Sequence, residues 1–146
     1  MSTLPALTPP EALVCTMVLI AATDGITDRE IGVMSGLVQT LPIFEDFSSA
    51  DLATATEAAI ALLGESKGLA HASRLIRDAL EPRLRETAYA LACEVAAADG
   101  FADQEALRLL AYVRDELHVD ALVASAIERA TRARHQRLAG SPVARA

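Results

Sequence analysis

Residues 22–30 read Ala-Thr-Asp-Gly-Ile-Thr-Asp-Arg-Glu, and residues 97–105 read Ala-Ala-Asp-Gly-Phe-Ala-Asp-Gln-Glu. Five positions coincide at a constant offset of 75, counted from Ala22 to Ala97: that pair, Asp24 with Asp99, Gly25 with Gly100, Asp28 with Asp103, and Glu30 with Glu105. The residue after each glycine is apolar, Ile26 in one copy and Phe101 in the other. Each copy follows an apolar run and precedes a stretch of helical periodicity, so one helix–turn–helix unit is used twice. Carboxylates return at equivalent places in both copies, and clustered carboxylate oxygens at a turn are what a hard divalent cation needs.

Reading outward, Thr8-Pro9-Pro10-Glu11 is a helix start, with a hydroxyl cap, proline at the first helical position and an acid that completes a capping box. The first helix is expected from Pro9 to about Ala22, its apolar Leu13, Val14, Met17, Val18 and Ala21 recurring at helical spacing. Asp24-Gly25 ends it. A second helix starts near Asp28, capped by Asp28 itself or by a Thr27–Glu30 box, and Pro42 stops it after about Thr40. Residues 42–48 connect, with Ile43, Phe44 and Phe47 as core plugs. A third helix, capped by Ser48 or Ser49, runs to Leu63 before Gly64. A fourth spans about 68–80, a fifth 82–98, a sixth 103–117, and a seventh, capped by Asp120, continues to about Arg134. Helices one and five carry many small residues and are expected to pack closely at the buried centre, which would bring the two acidic turns towards one another.

Composition agrees with this reading. The 146 residues are 52% apolar but only 3% aromatic, so the core is aliphatic and alanine-rich, in a sequence poor in the helix breakers Gly and Pro. The expectation is one all-α domain of about seven helices over residues 8–135, with an N-terminal segment at 1–7 and a flexible tail at 136–146. A net charge of −7 argues against nucleic acid as a partner, because a basic patch supplies that affinity. The apolar stretches at 12–23 and 88–98 fall far short of the ~20 residues a spanning helix needs, so no membrane insertion is expected. No basic segment followed by an apolar run and a cleavage site opens the chain, which points to the cytoplasm. Cys15 and Cys93 lie within apolar helical segments and read as buried, reduced thiols.

With its Ala-rich helices running into Asp-Gly turns twice, Ala21-Ala22-Thr23-Asp24-Gly25 followed by Asp28 and Glu30, and Ala96-Ala97-Ala98-Asp99-Gly100 followed by Asp103 and Glu105, the chain resembles the TerB-like family of tellurite resistance proteins. The resemblance covers nearly the whole helical region. It implies a compact all-α bundle and a cytoplasmic role in tellurite, metal and phage stress resistance. It also implies binding of a divalent metal through acidic residues, and action with other proteins of a membrane-associated stress-resistance complex. A homodimer is left open. The resemblance supplies no reaction.

The six acids carry different weights. Asp24 and Asp99 stand at helix C-termini, where a negative charge opposes the helix dipole. A cation, an arginine or solvent must compensate there. Asp28 and Asp103 are explained as caps, and Glu30 and Glu105 sit in first helical turns where acids are expected. If a metal binds, carboxylate oxygens select Ca²⁺, Mg²⁺ or Mn²⁺. The turns are not EF-hands, because Thr23 and Ala98 stand where that loop needs further oxygen ligands. Glu94, inside an apolar run one helical turn before Asp99, is a further candidate ligand, with a surface position the favoured reading. His71, His118 and His135 read as surface or capping residues. Arg74, Arg77, Arg83 and Arg85, interleaved with acids, read as a solvated salt-bridged face. Arg129, Arg132, Arg134 and Arg137 suit the end of the last helix, with a docking strip for an acidic partner or an anionic membrane surface as the alternative. No catalytic residue is legible. The expected function is a non-catalytic, cation-binding stress-response module. The alternative is a metal-free interaction scaffold, with a metal-dependent hydrolase ranked last.

Overall fold

Three helices of this chain start at a hydroxyl residue that exchanges hydrogen bonds with an acid three positions later. Thr8 accepts from the Glu11 amide while Glu11 accepts from the Thr8 amide, and the same reciprocal box joins Thr27 to Glu30 and Ser48 to Asp51. The computed structural model describes residues 6–22, 25–101 and 103–139. Among them it has seven α-helices: α1 (Pro9–Ala21), α2 (Asp28–Thr40), α3 (Ser49–Leu63), α4 (Gly68–Ala79), α5 (Pro82–Ala97), α6 (Gln104–Glu116) and α7 (Ala121–Arg134). A 3₁₀ turn, Pro42–Phe44, links α2 to α3. Residues 1–5 of the expected N-terminal segment and 140–146 of the expected tail lie outside the described residues.

Of the two starts open for α2, the structure selects the Thr27 box. Asp28 is therefore the first helical residue, exposed to solvent, and not the cap. The box wins because it satisfies the Glu30 and Thr27 amides together. In α6 the cap is Asp103, whose Oδ1 accepts from the amides of Glu105 and Ala106. The two repeats thus start their second helices one residue apart. The position matching Thr27 is Ala102, which has no side-chain acceptor.

The packing follows from α1. Every residue from Ala12 to Ala21 is buried, including Thr16, whose hydroxyl donates to the Ala12 carbonyl at 2.8 Å. A helix apolar all round must be enclosed, and α2, α3, α4, α5 and α6 all pack against it. α5 is its main neighbour, buried at Ala88, Leu91, Ala92, Val95 and Ala96, and α7 covers the other side of α5. Phe44 plugs the core, and Ile43 and Phe47 pack against it half-buried. Between α3 and α4 the chain turns so tightly that a Cβ on Gly68 would lie 2.3 Å from the Leu62 carbonyl oxygen, so only glycine fits there.

The arginines expected on a solvated face have more definite duties. Arg83 does form an exposed ion pair, with Glu81 at 2.7 Å. Arg85 instead donates to the Leu80 and Arg77 carbonyls at the end of α4, and Arg77 to the Glu116 carbonyl at the end of α6. They complete the carbonyls that a helix leaves unbonded at its C-terminus.

Since α1 is enclosed and α7 has an outer face, truncation should separate them sharply. Met17→Ala, at a fully buried site, is expected to cost about 2–5 kcal/mol. Leu122→Ala, at a residue 81% exposed, should change stability by less than about 0.5 kcal/mol. Urea unfolding of the two variants measures the contrast.

Candidate cation-binding turns

The end of α5 is closed by backbone hydrogen bonds that reach back from the turn. Gly100, at φ 66°, lets its amide reach the Ala97 carbonyl at 2.9 Å, and the Phe101 amide reaches back to Ala96 at 3.3 Å. This pairing is the glycine-dependent helix stop expected at an Asp-Gly turn. Gly25 at the first turn is left-handed too, at φ 89°. The next carbonyl, Ala98, accepts from Arg29 Nη1 at 3.4 Å. Arg29 belongs to the first turn of α2, so the first repeat reaches the turn of the second. This bond ties the start of α2 to the second turn; Thr23 and Asp24 of the first turn lie outside the described residues.

Asp99 occupies that turn half-buried, and its Oδ1 is buried with no hydrogen-bond partner. Of the three compensations open to an acid at a helix C-terminus, the structure puts an arginine on the adjoining carbonyl, not on the carboxylate. Asp24, the equivalent acid, lies outside the described residues. The other four acids have separate settings. Glu30 is 6% exposed, its Oε1 taken by the Thr27 amide at 2.9 Å and hydroxyl at 3.1 Å. Asp103 caps α6. Glu105 is exposed beside Arg108 at 3.4 Å. Asp28 is exposed on α2. Among the described residues, no three His, Cys, Asp or Glu side chains gather as a metal-ligand group. A cation at the turns would therefore be held by Asp99 through its buried, unpaired oxygen, with Asp24 as the candidate second carboxylate and water completing the shell.

Glu94 is not a surface residue. Its side chain is 15% exposed and is clamped by Arg134 at 2.6 Å and His135 at 2.6 Å, pinning the end of α7 to α5. A half-buried carboxylate needs such partners, and both Glu94 oxygens are taken by them. His135 thus ends α7 as a paired residue, and His71 faces Glu65 at 3.3 Å. One further cluster was not anticipated. The buried Tyr89 donates its hydroxyl to Glu128 Oε2 at 2.6 Å, and Arg114 approaches the same carboxylate at 3.8 Å. A tyrosine in the apolar stretch of α5 was the available signal, because a buried phenol needs an acceptor.

Cys15 and Cys93 are buried free thiols. Burial pushes each up to about 12 from its ordinary value of 9.0; at Cys93 this outweighs a hydrogen bond with Tyr89 and the nearby Arg132 charge.

The chain belongs to the tellurite resistance protein TerB family, whose family model matches residues 10–131. Comparison with curated proteins and with solved structures returns no match.

Two measurements follow from this geometry. Glu30→Ala, which opens a buried capping box, should cost about 1 kcal/mol, whereas Glu105→Ala should stay within about 0.5 kcal/mol; thermal unfolding compares the equivalent positions. The thiols of the folded protein should resist a maleimide at pH 8 and react once the chain is denatured. Because the folded state keeps protons that the unfolded state releases above pH 9.0, their contribution is intact below that pH. It is lost progressively as pH rises towards about 12. Urea midpoints against pH read that fall.

Proposed function

We propose that this TerB-family chain is a non-catalytic stress-response module that binds a divalent cation at its Asp-Gly turns and acts through partner proteins. The observation that carries the reading is the buried, partnerless Oδ1 of Asp99 at the end of α5. An unpaired buried oxygen is costly, the more so on an acid opposing the helix dipole. A hard cation relieves both penalties, and Ca²⁺, Mg²⁺ and Mn²⁺ are the ions suited to such oxygen donors. Arg29, held to the Ala98 carbonyl, couples α2 to the same turn. Ion binding would therefore pin the two repeats together and fix the surface shown to other proteins of a stress-resistance complex. A non-catalytic role is supported by the setting of the thiols, which burial keeps protonated and out of reach. Work in the cytoplasm is part of the same proposal; no helix among the described residues is long and apolar enough to cross a membrane.

The scaffold alternative draws on the assignment of Glu30, Asp103 and Glu105 to caps and an ion pair, which explains these acids without an ion. Thermal melting of EDTA-treated protein titrated with each ion decides between the two. A cation at ~100 times its Kd should add about 2.7 kcal/mol, a rise of several degrees. Asp99→Asn should melt slightly above wild type in EDTA, having lost the unpaired charge, and should lose the ion-dependent rise. No rise in wild type at millimolar concentrations of any of the three ions would leave the scaffold.

A further inference from the structure

On the face of α5 away from α1, two clefts open side by side, and they share Phe101 and Arg132. The inner cleft, about 170 Å³, has apolar walls from Phe101, Leu107, Leu110 and Ala111, with Tyr89, Glu128 and Arg114 at its polar side. The outer cleft, about 390 Å³, is bounded by Arg132, His135 and Arg137 beside Gly100 of the second turn. Together they make a groove within the size range of small-molecule sites, apolar at one end and cationic at the other.

The charges within it are unequally committed. Glu128 is engaged by the Tyr89 hydroxyl and faces Arg114. His135 is held by Glu94. Arg132 forms no ion pair among the described residues, although the chain carries a net charge of −7. It stands where the two clefts meet. The ring wall there is also costly to place: Phe101 adopts φ 60°, a left-handed backbone that a side-chain-bearing residue takes at a cost of about 1 kcal/mol or more. Gly100 already supplies a left-handed residue at the end of α5, and the second one, Phe101, forms the common wall of both clefts.

We infer that this groove binds a small amphipathic anion, a carboxylate or phosphate head on a short apolar chain, with the head at Arg132 and the chain among Phe101, Leu107, Leu110 and Ala111. The orientation follows from Glu128. Its carboxylate borders the inner cleft and would repel an anionic head there, whereas the outer cleft has Arg132 at its junction with the inner one. The apolar chain then replaces water against the inner wall, which supplies affinity that a bare anion lacks. This site is separate from the Asp99 oxygen and needs no metal.

The test is a titration of the full chain, in EDTA, with octanoate and octyl phosphate below their micelle concentrations, followed by amide chemical shifts. Acetate and inorganic phosphate serve as heads without chains. Expected are saturable shifts centred on Phe101, Ala111 and Arg132 with at least one octyl probe, and at least tenfold weaker binding of the headgroups alone. The carboxylate and phosphate arms say which head is preferred. Arg132→Ala, on an exposed position, should weaken the octyl probe tenfold or more with an unchanged melting temperature, and Arg132→Lys should restore most of it. Ala111→Phe, which fills the inner cleft, should weaken it independently. The proposal is overturned if neither octyl probe saturates, if the shifts centre elsewhere, or if Arg132→Ala binds as well as wild type. Binding to anionic vesicles without binding of either monomeric probe would overturn it too.

Discussion

A helix with no polar side has no place at a surface, and α1 is such a helix. From Ala12 to Ala21 nothing on it tolerates water, and its single internal hydroxyl, Thr16, is satisfied within the helix. The other elements are arranged by that demand. Five helices pack against it, and α5, the second most apolar segment by burial, becomes its closest companion because alanines at 88, 92 and 96 allow near approach. The acidic turns are a by-product of the same arrangement. α5 ends in a left-handed glycine, Gly25 beyond α1 is left-handed too, and Arg29 ties the start of α2 to the end of α5.

Enclosing a helix creates a second problem at its ends, where carbonyls lack partners. The chain solves it with arginines sent from neighbouring elements. Arg85 serves α4, Arg77 serves α6 and Arg29 serves α5. Each places a cation at a negative helix terminus, and Arg77 and Arg85 are partly buried in doing so. At the end of α5 the solution is incomplete, since Arg29 takes the carbonyl and Asp99 keeps an unpaired oxygen. That residual penalty sits at an acid that the chain repeats, and it separates Asp99 from the acids that have structural employment.

Local chemistry was legible in the sequence, and non-local pairing was not. Helix starts at Thr8, Ser48 and Asp120, the stop before Pro42 and the Asp-Gly turns depend on residues within four positions of one another, so the elements appear within a residue or two of their expected limits. The choice of Thr27 over Asp28 was open because both caps are locally sound. Glu94 was misplaced on the surface because its partners, Arg134 and His135, lie forty and forty-one positions away. Tyr89 and Glu128 are separated by thirty-nine, as are Arg77 and Glu116. No periodicity encodes which arginine meets which carbonyl. Of the candidate acids, Asp103 could be assigned to a cap from sequence, but the burial of Glu30 against the exposure of Glu105 required the packing.

That last difference shows what the repeat has become. Equivalent acids in the two copies no longer share a task. Glu30 closes a buried box because Thr27 precedes it, while Glu105 is released to solvent because Asp103 caps alone. The divergence extends past the turn. Phe101 replaces Ile26, takes a left-handed backbone and stands between two clefts that α7 helps to line. The second turn therefore has a wet, charged side that the packing constraint does not explain. Its inner flank is tied to the core through α5, and its outer flank is formed with α7, which Glu94 clamps at its end. A ligand on either flank would bear on the same few residues, 97 to 101, so the end of α5 is the place where binding and helix packing are mechanically joined.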